Sequence, residues 1–275
     1  NGDGFDDLIV GAYFDDPNAE NAGASFVVFG KTDGTAVELS DIELGTNGDG
    51  FVINGVASFD YSGFSVSGAG DVNGDGLDDL IVGTRYDSND EDIGASFVVF
   101  GKTDGTAVEL SALEGSDNAG GFVINGVSVD NGSVNSAGDV NGDGFDDLII
   151  GAPNDDPNGP YSGASFVVFG KTDGTPVEFS AVEAGTGGFV INGIAYASSG
   201  YSVSGAGDVN GDGLDDLIVG AFHDSPNGLS SGASFVVFGK TDGTAVELSD
   251  IEAGTGGFVI NGVARDDQSG RSVSS

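Results

Sequence analysis

An acidic nine-residue loop that occurs four times restricts the fold of this chain more than any other feature. Complete copies are Asp71–Asp79, Asp139–Asp147 and Asp208–Asp216, and a fourth, Asn1–Asp7, lacks the leading aspartate. Each copy runs directly into an apolar stretch such as Leu80-Ile81-Val82. The asparagine of the loop falls at Asn1, Asn73, Asn141 and Asn210, giving spacings of 72, 68 and 69 residues. Two further markers keep the same order and phase. Ala-Ser-Phe-Val-Val-Phe-Gly-Lys-Thr-Asp-Gly-Thr starts at Ala24, Ala95, Ala164 and Ala233, and Phe-Val-Ile-Asn-Gly starts at Phe51, Phe122, Phe189 and Phe258. One unit of about seventy residues, used four times, builds its core by stacking copies on one another. The repeats are set at approximately 1–70, 71–138, 139–207 and 208–275, as one tandem-repeat β domain.

Within a unit the apolar runs are short, β-branched and aromatic, and are fenced by Gly, Asn, Asp and Pro, which predicts strands. In the second copy the strands are expected at Asp79 to Val82, Ala95 to Phe100 and Phe122 to Val127, with a fourth at Gly132 to Ser136 feeding the next acidic loop. Ala107 to Leu110 is a weaker extended segment, Lys102 to Gly105 a tight turn, and Thr84 to Gly94 a turn-rich connection. No stretch has the periodicity of an amphipathic helix. Leu-Ile-Val and Phe-Val-Val-Phe do not alternate apolar with polar, so both faces of the sheet are expected to be buried between neighbouring sheets. The fold class is therefore all-β, with propeller-type blades of four antiparallel strands. Small residues at Ser67 to Gly70 and Ser204 to Gly207 would let adjacent blades approach closely.

The chain finishes Arg271-Ser272-Val273-Ser274-Ser275, which matches Phe64 to Gly68 of the earlier copy and would rejoin Asn1 in phase. Closure of a ring by strands from both ends and excision from a longer tandem array both fit. The array is favoured, because a cut inside a metal loop is an unusual natural terminus.

Counted from its first aspartate, the loop places oxygen donors at positions 1, 3, 5 and 9: Asp71, Asn73, Asp75 and Asp79. The backbone carbonyl of Leu77 at position 7 can add a fifth. The equivalent sets are Asp139, Asn141, Asp143, Phe145 and Asp147; Asp208, Asn210, Asp212, Leu214 and Asp216; and, in the shortened copy, Asn1, Asp3, Phe5 and Asp7. Hard oxygen donors with no nitrogen or sulfur point to Ca²⁺ rather than zinc or copper. An EF-hand would need a glutamate at position 12 and flanking helices, but position 12 is Val82, Ile150 or Val219, inside a strand. Glycine-rich nonapeptide calcium repeats are also absent, so the ninth aspartate is expected to close the site. A single copy reads equally well as an acidic turn. Four copies in register, each with the ligand pattern, favour metal. Position 8 (Asp78, Asp146, Asp215) is expected to point away, solvated or capping the turn, and Asp15-Asp16-Pro17-Asn18 and Asp155-Asp156-Pro157-Asn158 are favoured as solvated loops over the alternative of a second cation site.

Forty-five acidic residues against seven basic ones give a net charge of -38, which repels nucleic acid and anionic membrane and favours bound cations. The absence of cysteine excludes disulfides and thiolate chemistry. No apolar run is long enough to span a membrane. His223, the single histidine, sits in a variable loop where the other copies have Phe14, Tyr86 and Asn154, which disfavours a general base.

These residues resemble the FG-GAP repeat of integrin α-subunit propellers and, more closely, its bacterial versions in long secreted or surface proteins. The resemblance rests on Asp-x-Asn-x-Asp-Gly-x-x-Asp, the Leu-Ile-Val-Gly that follows it, and Ser62-Gly63-Phe64-Ser65-Val66 before it. Gly151-Ala152-Pro153 reproduces the Gly-Ala-Pro element, from which Gly11-Ala12-Tyr13, Gly83-Thr84-Arg85 and Gly220-Ala221-Phe222 depart. The Phe-Gly element is degraded to Gly63-Phe64, Gly132-Ser133, Gly200-Tyr201 and Gly270-Arg271. The resemblance implies loops that bind Ca²⁺ at the rim of a typically seven-bladed propeller, so that four copies form a partial ring, a compact ring or an open stack.

The expected function is a non-catalytic, calcium-stabilised structural or adhesion module outside the cell or at its surface. Its expected partners are further repeats or copies of itself. The alternative is a propeller that recognises a protein or glycan through its variable loops, Tyr13 to Asn21, Arg85 to Asp92, Asn154 to Tyr161 and Phe222 to Ser230. A hydrolase is disfavoured, because no catalytic constellation is present.

Overall fold

The computed structural model describes residues 1–46, 48–85, 94–115, 120–126 and 132–275. Most of the connection expected at Thr84 to Gly94, with Tyr86 and the Arg85 to Asp92 loop, lies outside the described residues, as does Val127 at the end of an expected strand. The chain forms two compact units. One comprises Asn1–Asp71, Asp75–Ser128 and Asp173–Pro176, and the other Val72–Gly74, Val129–Thr172 and Val177–Ser275.

In the first unit, β1 (Leu8–Ala12), β2 (Ala24–Val28) and β3 (Gly50–Asn54) form one antiparallel sheet. A second follows the order β4 (Ser65–Gly70), β5 (Asp79–Gly83), β6 (Ala95–Val99), β8 (Gly121–Asn125). Between β6 and β8 in sequence lies the two-residue strand β7 (Val108–Glu109). The second unit repeats the pattern. One sheet contains β9 (Val134–Gly138), β10 (Asp147–Ala152), β11 (Ala164–Val168) and β13 (Gly188–Asn192); the other contains β14 (Ser199–Gly207), β15 (Asp216–Ala221), β16 (Ala233–Val237) and β18 (Gly257–Asn261). The short strands β12 (Val177–Glu178) and β17 (Val246–Glu247) correspond to β7.

The strand preceding each of the three complete acidic loops pairs with the strand following it, as in Asp147↔Gly138 and Ile150↔Val134. The expected strand at Gly132 to Ser136, observed as β9, therefore opens the next sheet rather than completing the previous one. An acidic loop is the turn of a hairpin, and the bulge at Asp147/Leu148 marks where the chain leaves it.

The weak extended segment expected at Ala107 to Leu110 is observed as the short strand β7. Instead of lying in its own sheet, β7 adds to the outer edge of the preceding one in parallel, Ile53↔Val108 and Asn54↔Glu109, and β17 does the same to β13. The glutamates of β7 and β17 then each accept two side-chain hydrogen bonds. Glu109 accepts from Asn54 Nδ2 (2.7 Å) and Asn18 Nδ2 (2.9 Å), and Glu247 from Asn192 Nδ2 (2.7 Å) and Asn158 Nδ2 (2.7 Å). Asn18 and Asn158 also donate to Gly55 O and Gly193 O, both at 3.0 Å. The loops read as simply solvated thus supply an asparagine that clasps the following repeat.

One-turn helices α2 (Phe179–Glu183) and α3 (Leu248–Glu252) follow β12 and β17, a single 3-10 turn at Leu110–Ala112 follows β7, and α1 (Leu39–Glu43) takes the same place in the first repeat. They were not expected, because one turn is too short to show a helical period. Tertiary packing forms them: Phe179 with Val182, and Leu248 with Ile251, bury an i, i+3 pair under the sheet.

The inner strands are covered on both faces, as their unbroken apolar runs require. In the first unit Val27, Phe51 and Ile53 pack with Val82, Phe97 and Val99 of the neighbouring sheet. Ile149, Val167, Phe189 and Ile191 meet Leu217, Val219, Phe235 and Val237 in the second. The sheets approach closely where two glycines meet. A Cβ on Gly151 would overlap the Gly200 carbonyl oxygen, and one on Gly11 that of Gly63. Gly151→Ala should therefore cost about 1–3 kcal/mol in urea unfolding. Gly68→Ala, with open space around it, should stay within about 0.5 kcal/mol.

Candidate metal centre

The sequence of the acidic loop folds it locally, because each early carboxylate or amide oxygen captures backbone N–H groups further along. Asp139 Oδ1 accepts from Gly142 N (2.7 Å) and Asp143 N (3.1 Å), and Oδ2 from Gly144 N (3.0 Å). Asn141 Oδ1 accepts from Asp143 N (2.8 Å), and Asp143 Oδ1 from Phe145 N (3.0 Å). The fourth loop repeats this set from Asp208 through Asn210 and Asp212 to Leu214 N. In the second loop Asp71 holds Asp75 N and Gly76 N, and Asp75 holds Leu77 N. The first retains Asn1 to Asp3 N and Asp3 to Phe5 N. This curvature requires left-handed glycine at position 4, where φ is 76°, 77°, 78° and 79° in Gly2, Gly74, Gly142 and Gly211.

The same glycines receive the next loop. Position 7 of one copy lies on position 4 of the copy before it: a Cβ on Gly142 would stand 2.8 Å from Leu214 Cδ2, and one on Gly2 3.0 Å from Leu77 Cδ2. Phe145 covers Gly74 in the same way. The side chain at position 7 is thus a spacer between loops, and only its carbonyl is available as a donor.

The ninth aspartate ties the loop to the sheet. Asp147 Oδ2 accepts from Val140 N at 2.9 Å and Oδ1 from Gly170 N at 2.9 Å. Asp216 binds Val209 N and Gly239 N in the same way, both at 2.9 Å. Asp79 Oδ1 accepts from Gly101 N at 2.7 Å. Asp7 reaches Gly30 N (2.9 Å) and the amino group of Asn1 (2.7 Å). Asp79, Asp147 and Asp216 are fully buried. Burial, reinforced by the charges of Asp143 and Asp139, pushes Asp147 up to about 8 against the pull of its two backbone hydrogen bonds. Burial likewise raises Asp216.

Position 8 corrects an expectation in the fourth loop. Asp215 does not point into solvent: its Oδ2 accepts from Asp139 N at 3.0 Å while its own N–H donates to Asp139 O at 3.1 Å, a reciprocal clasp between successive loops. Sequence reasoning missed this because the partner lies one whole repeat away.

The donor chemistry fits a hard cation, since the candidate donors of each loop are carboxylate and carbonyl oxygens only. Among the described residues no group of three or more acidic or histidine side chains already converges as a metal cluster. The carboxylates are instead engaged with backbone amides. His223 is exposed, stacks on Phe222 with ring centroids 3.9 Å apart, and lies 3.2 Å from Ser198 Oγ. Among the described residues no helix is long and apolar enough to cross a membrane.

The FG-GAP repeat family profile matches residues 1–28, 62–99, 131–168 and 199–237, which include the acidic hairpins and the strands that follow them. Integrin alpha pat-2 of Caenorhabditis elegans is 30% identical over 236 residues, 80% of this chain and 17% of that protein. Integrin alpha-4 of Xenopus laevis is 35% identical over 164 residues, 59% of this chain and 14% of that protein. Human integrin alpha-7 is 33% identical over 168 residues, covering 60% of this chain and 12% of the integrin. The chain thus spans about a sixth or less of the length of these relatives.

In calcium-free buffer the raised Asp147 has a defined pH signature. Its neutral form is favoured in the folded state, so its contribution to stability is complete below about 4, the ordinary carboxylate range, and is lost as pH rises towards about 8. Unfolding free energy measured with chelator should fall across that window by a few kcal/mol more in the wild type than in Asp147→Asn, whose slope lacks this titration.

Proposed function

We propose that this chain, which belongs to the FG-GAP repeat family, is a calcium-stabilised adhesion or ligand-binding repeat module that works outside the cell or at its surface and carries no catalytic activity. The observation that carries the reading is the ninth aspartate. A fully buried carboxylate ringed by Asp139 and Asp143 is held in the same backbone geometry in successive repeats. Such a position is costly to ionise alone, and a divalent cation beside it relieves both the desolvation and the mutual repulsion. In the 139–147 loop Asp139, Asn141, Asp143, the Phe145 carbonyl and Asp147 would hold the ion. Asp71, Asn73, Asp75, Leu77 and Asp79 form the second set, and Asp208, Asn210, Asp212, Leu214 and Asp216 the fourth. Asn1, Asp3, Phe5 and Asp7 form the reduced first set. When bound, calcium supplies charge neutralisation and cross-links the loop; it performs no reaction. A net charge of -38 and the integrin α relatives support the same reading.

A second observation favours ligand recognition. The first variable loop and the connection before β4 form an aromatic cluster: Tyr13 and Phe14 have ring centroids 4.4 Å apart, and Phe14 lies 5.8 Å from Tyr61. Phe14 is 64% exposed and Phe59, which neighbours Tyr61, is 47% exposed. Rigid exposed aromatics on loops suit a protein or glycan surface. Partners would also include further repeats or copies of the chain itself.

Removing calcium with a chelator should lower the melting temperature. At free calcium about tenfold above Kd each occupied site contributes roughly 1.4 kcal/mol. Asp143→Ala should abolish one site's share of that shift. An unchanged melting temperature on chelation, with no calcium in the purified protein, contradicts the reading.

A further inference from the structure

Glu247 is the joint at which the fourth repeat grips the third, and the two asparagines that donate to it are each followed by glycine, as Asn158-Gly159 and Asn192-Gly193. An asparagine before glycine is prone to ring closure, because the glycine nitrogen reaches the side-chain carbonyl of the asparagine with no Cβ in the way. Reaction also needs that nitrogen free to turn inward, and the Asn-Gly pairs of this chain differ in that respect. In the acidic loops Gly142 N and Gly211 N are committed to carboxylates, Asp139 Oδ1 and Asp208 Oδ1, both at 2.7 Å. Gly193 is buried and its N–H donates to Gly163 O at 2.9 Å. Gly159 stands apart. It follows the exposed Asn158 in a loop, adopts φ 109°, and its N–H is held by a long bond of 3.3 Å to Asp156 O.

We propose that Asn158 is a site of spontaneous deamidation, and that the reaction releases the clasp between the third and fourth repeats. Gly159 N gives its proton to solvent base and bonds to Asn158 Cγ. The Cγ–Nδ2 bond breaks, the nitrogen takes a proton from solvent and leaves as ammonia, and a five-membered succinimide remains. Water then adds to either ring carbonyl and reopens the ring as aspartate or isoaspartate.

Before the step Asn158 Nδ2 donates to Glu247 Oε2 at 2.7 Å and to Gly193 O at 3.0 Å. Afterwards a carboxylate takes the place of the donor and faces a carboxylate and a carbonyl, with like charges opposed and no proton between them. Glu247 keeps its bond from Asn192, but the parallel pairing of β17 on β13, Ile191↔Val246 and Asn192↔Glu247, loses half of the side-chain clasp that backs it. The first unit provides the contrast. There Glu109 is held by Asn18, which precedes Ala19, and by Asn54, which precedes a Gly55 whose N–H donates to Gly23 O at 2.9 Å. The Cβ of Ala19 obstructs closure at the first and the backbone bond opposes it at the second. The same joint is therefore durable between the first two repeats and perishable between the last two. None of these clasp residues belongs to an acidic loop, so the step does not depend on calcium.

Incubating the full chain in mildly alkaline buffer and mapping amide-to-acid conversion by peptide mass spectrometry tests the modification. Asn158 should convert at least roughly tenfold faster than Asn18, Asn54, Asn141 and Asn192. Asn227, which precedes Gly228 at φ 126° in the equivalent loop, should react like Asn158. Asn158→Asp, the product made directly, should lower the melting temperature by roughly 2–4 °C. Adding Glu247→Gln to it should recover most of that loss, because the glutamine amide can donate to the new carboxylate. Conversion of Asn158 no faster than that of Asn141 and Asn192 overturns the modification. Wild-type melting of Asn158→Asp, or no recovery with Glu247→Gln, overturns the release.

Discussion

The buried aspartate at the end of each acidic loop performs two tasks with opposed electrostatics. Its two oxygens hold the loop to the adjoining strand connection, as Asp147 does between Val140 N and Gly170 N, and hydrogen bonds to a charged acceptor are the strong kind. Removal from water, beside other carboxylates, penalises the same charge. The hairpin geometry, the stacking of position 7 on the preceding glycine and the alignment of successive sheets all depend on how that conflict is resolved. A proton resolves it at low pH. On the proposed reading a divalent cation would resolve it at neutral pH and keep the hydrogen bonds charge-assisted.

Around these joints the chain behaves as a one-dimensional stack within each unit. Neighbouring sheets are held by buried aliphatic and phenylalanine faces, by glycine contacts such as Gly151 against Gly200, and by the Asn–Glu clasps of β7 and β17. Each device links a repeat to the next one only. Stability is then a sum over neighbours, and an uncovered end resembles a cut through a core.

Much of this was legible in the sequence, because the strands are marked by runs that repeat in phase. Phe-Val-Val-Phe and Phe-Val-Ile-Asn gave strands close to those observed, and their lack of alternation correctly implied two covered faces. The same pattern could not show which sheet a two-residue strand joins, since Val108–Glu109 carries no hydrophobic period and pairs with a strand more than fifty residues earlier. The one-turn helices were invisible for a related reason, as one buried i, i+3 pair is not a period. At the candidate site the oxygen-donor positions follow from residue type and spacing. The clasp of Asp215 on Asp139 and the backbone ties of the ninth aspartate depend on contacts with distant segments, which loop spacing does not encode.

The central claim is that the carboxylates which fold each acidic loop also bind a calcium ion there. Counting bound calcium by isothermal titration tests it most directly. The account predicts roughly three sites of similar affinity from the complete loops, with one lost in each of Asp75→Ala, Asp143→Ala and Asp212→Ala and the remaining sites retained. No calcium uptake by the folded wild type, or a stoichiometry that none of these substitutions reduces, would contradict it.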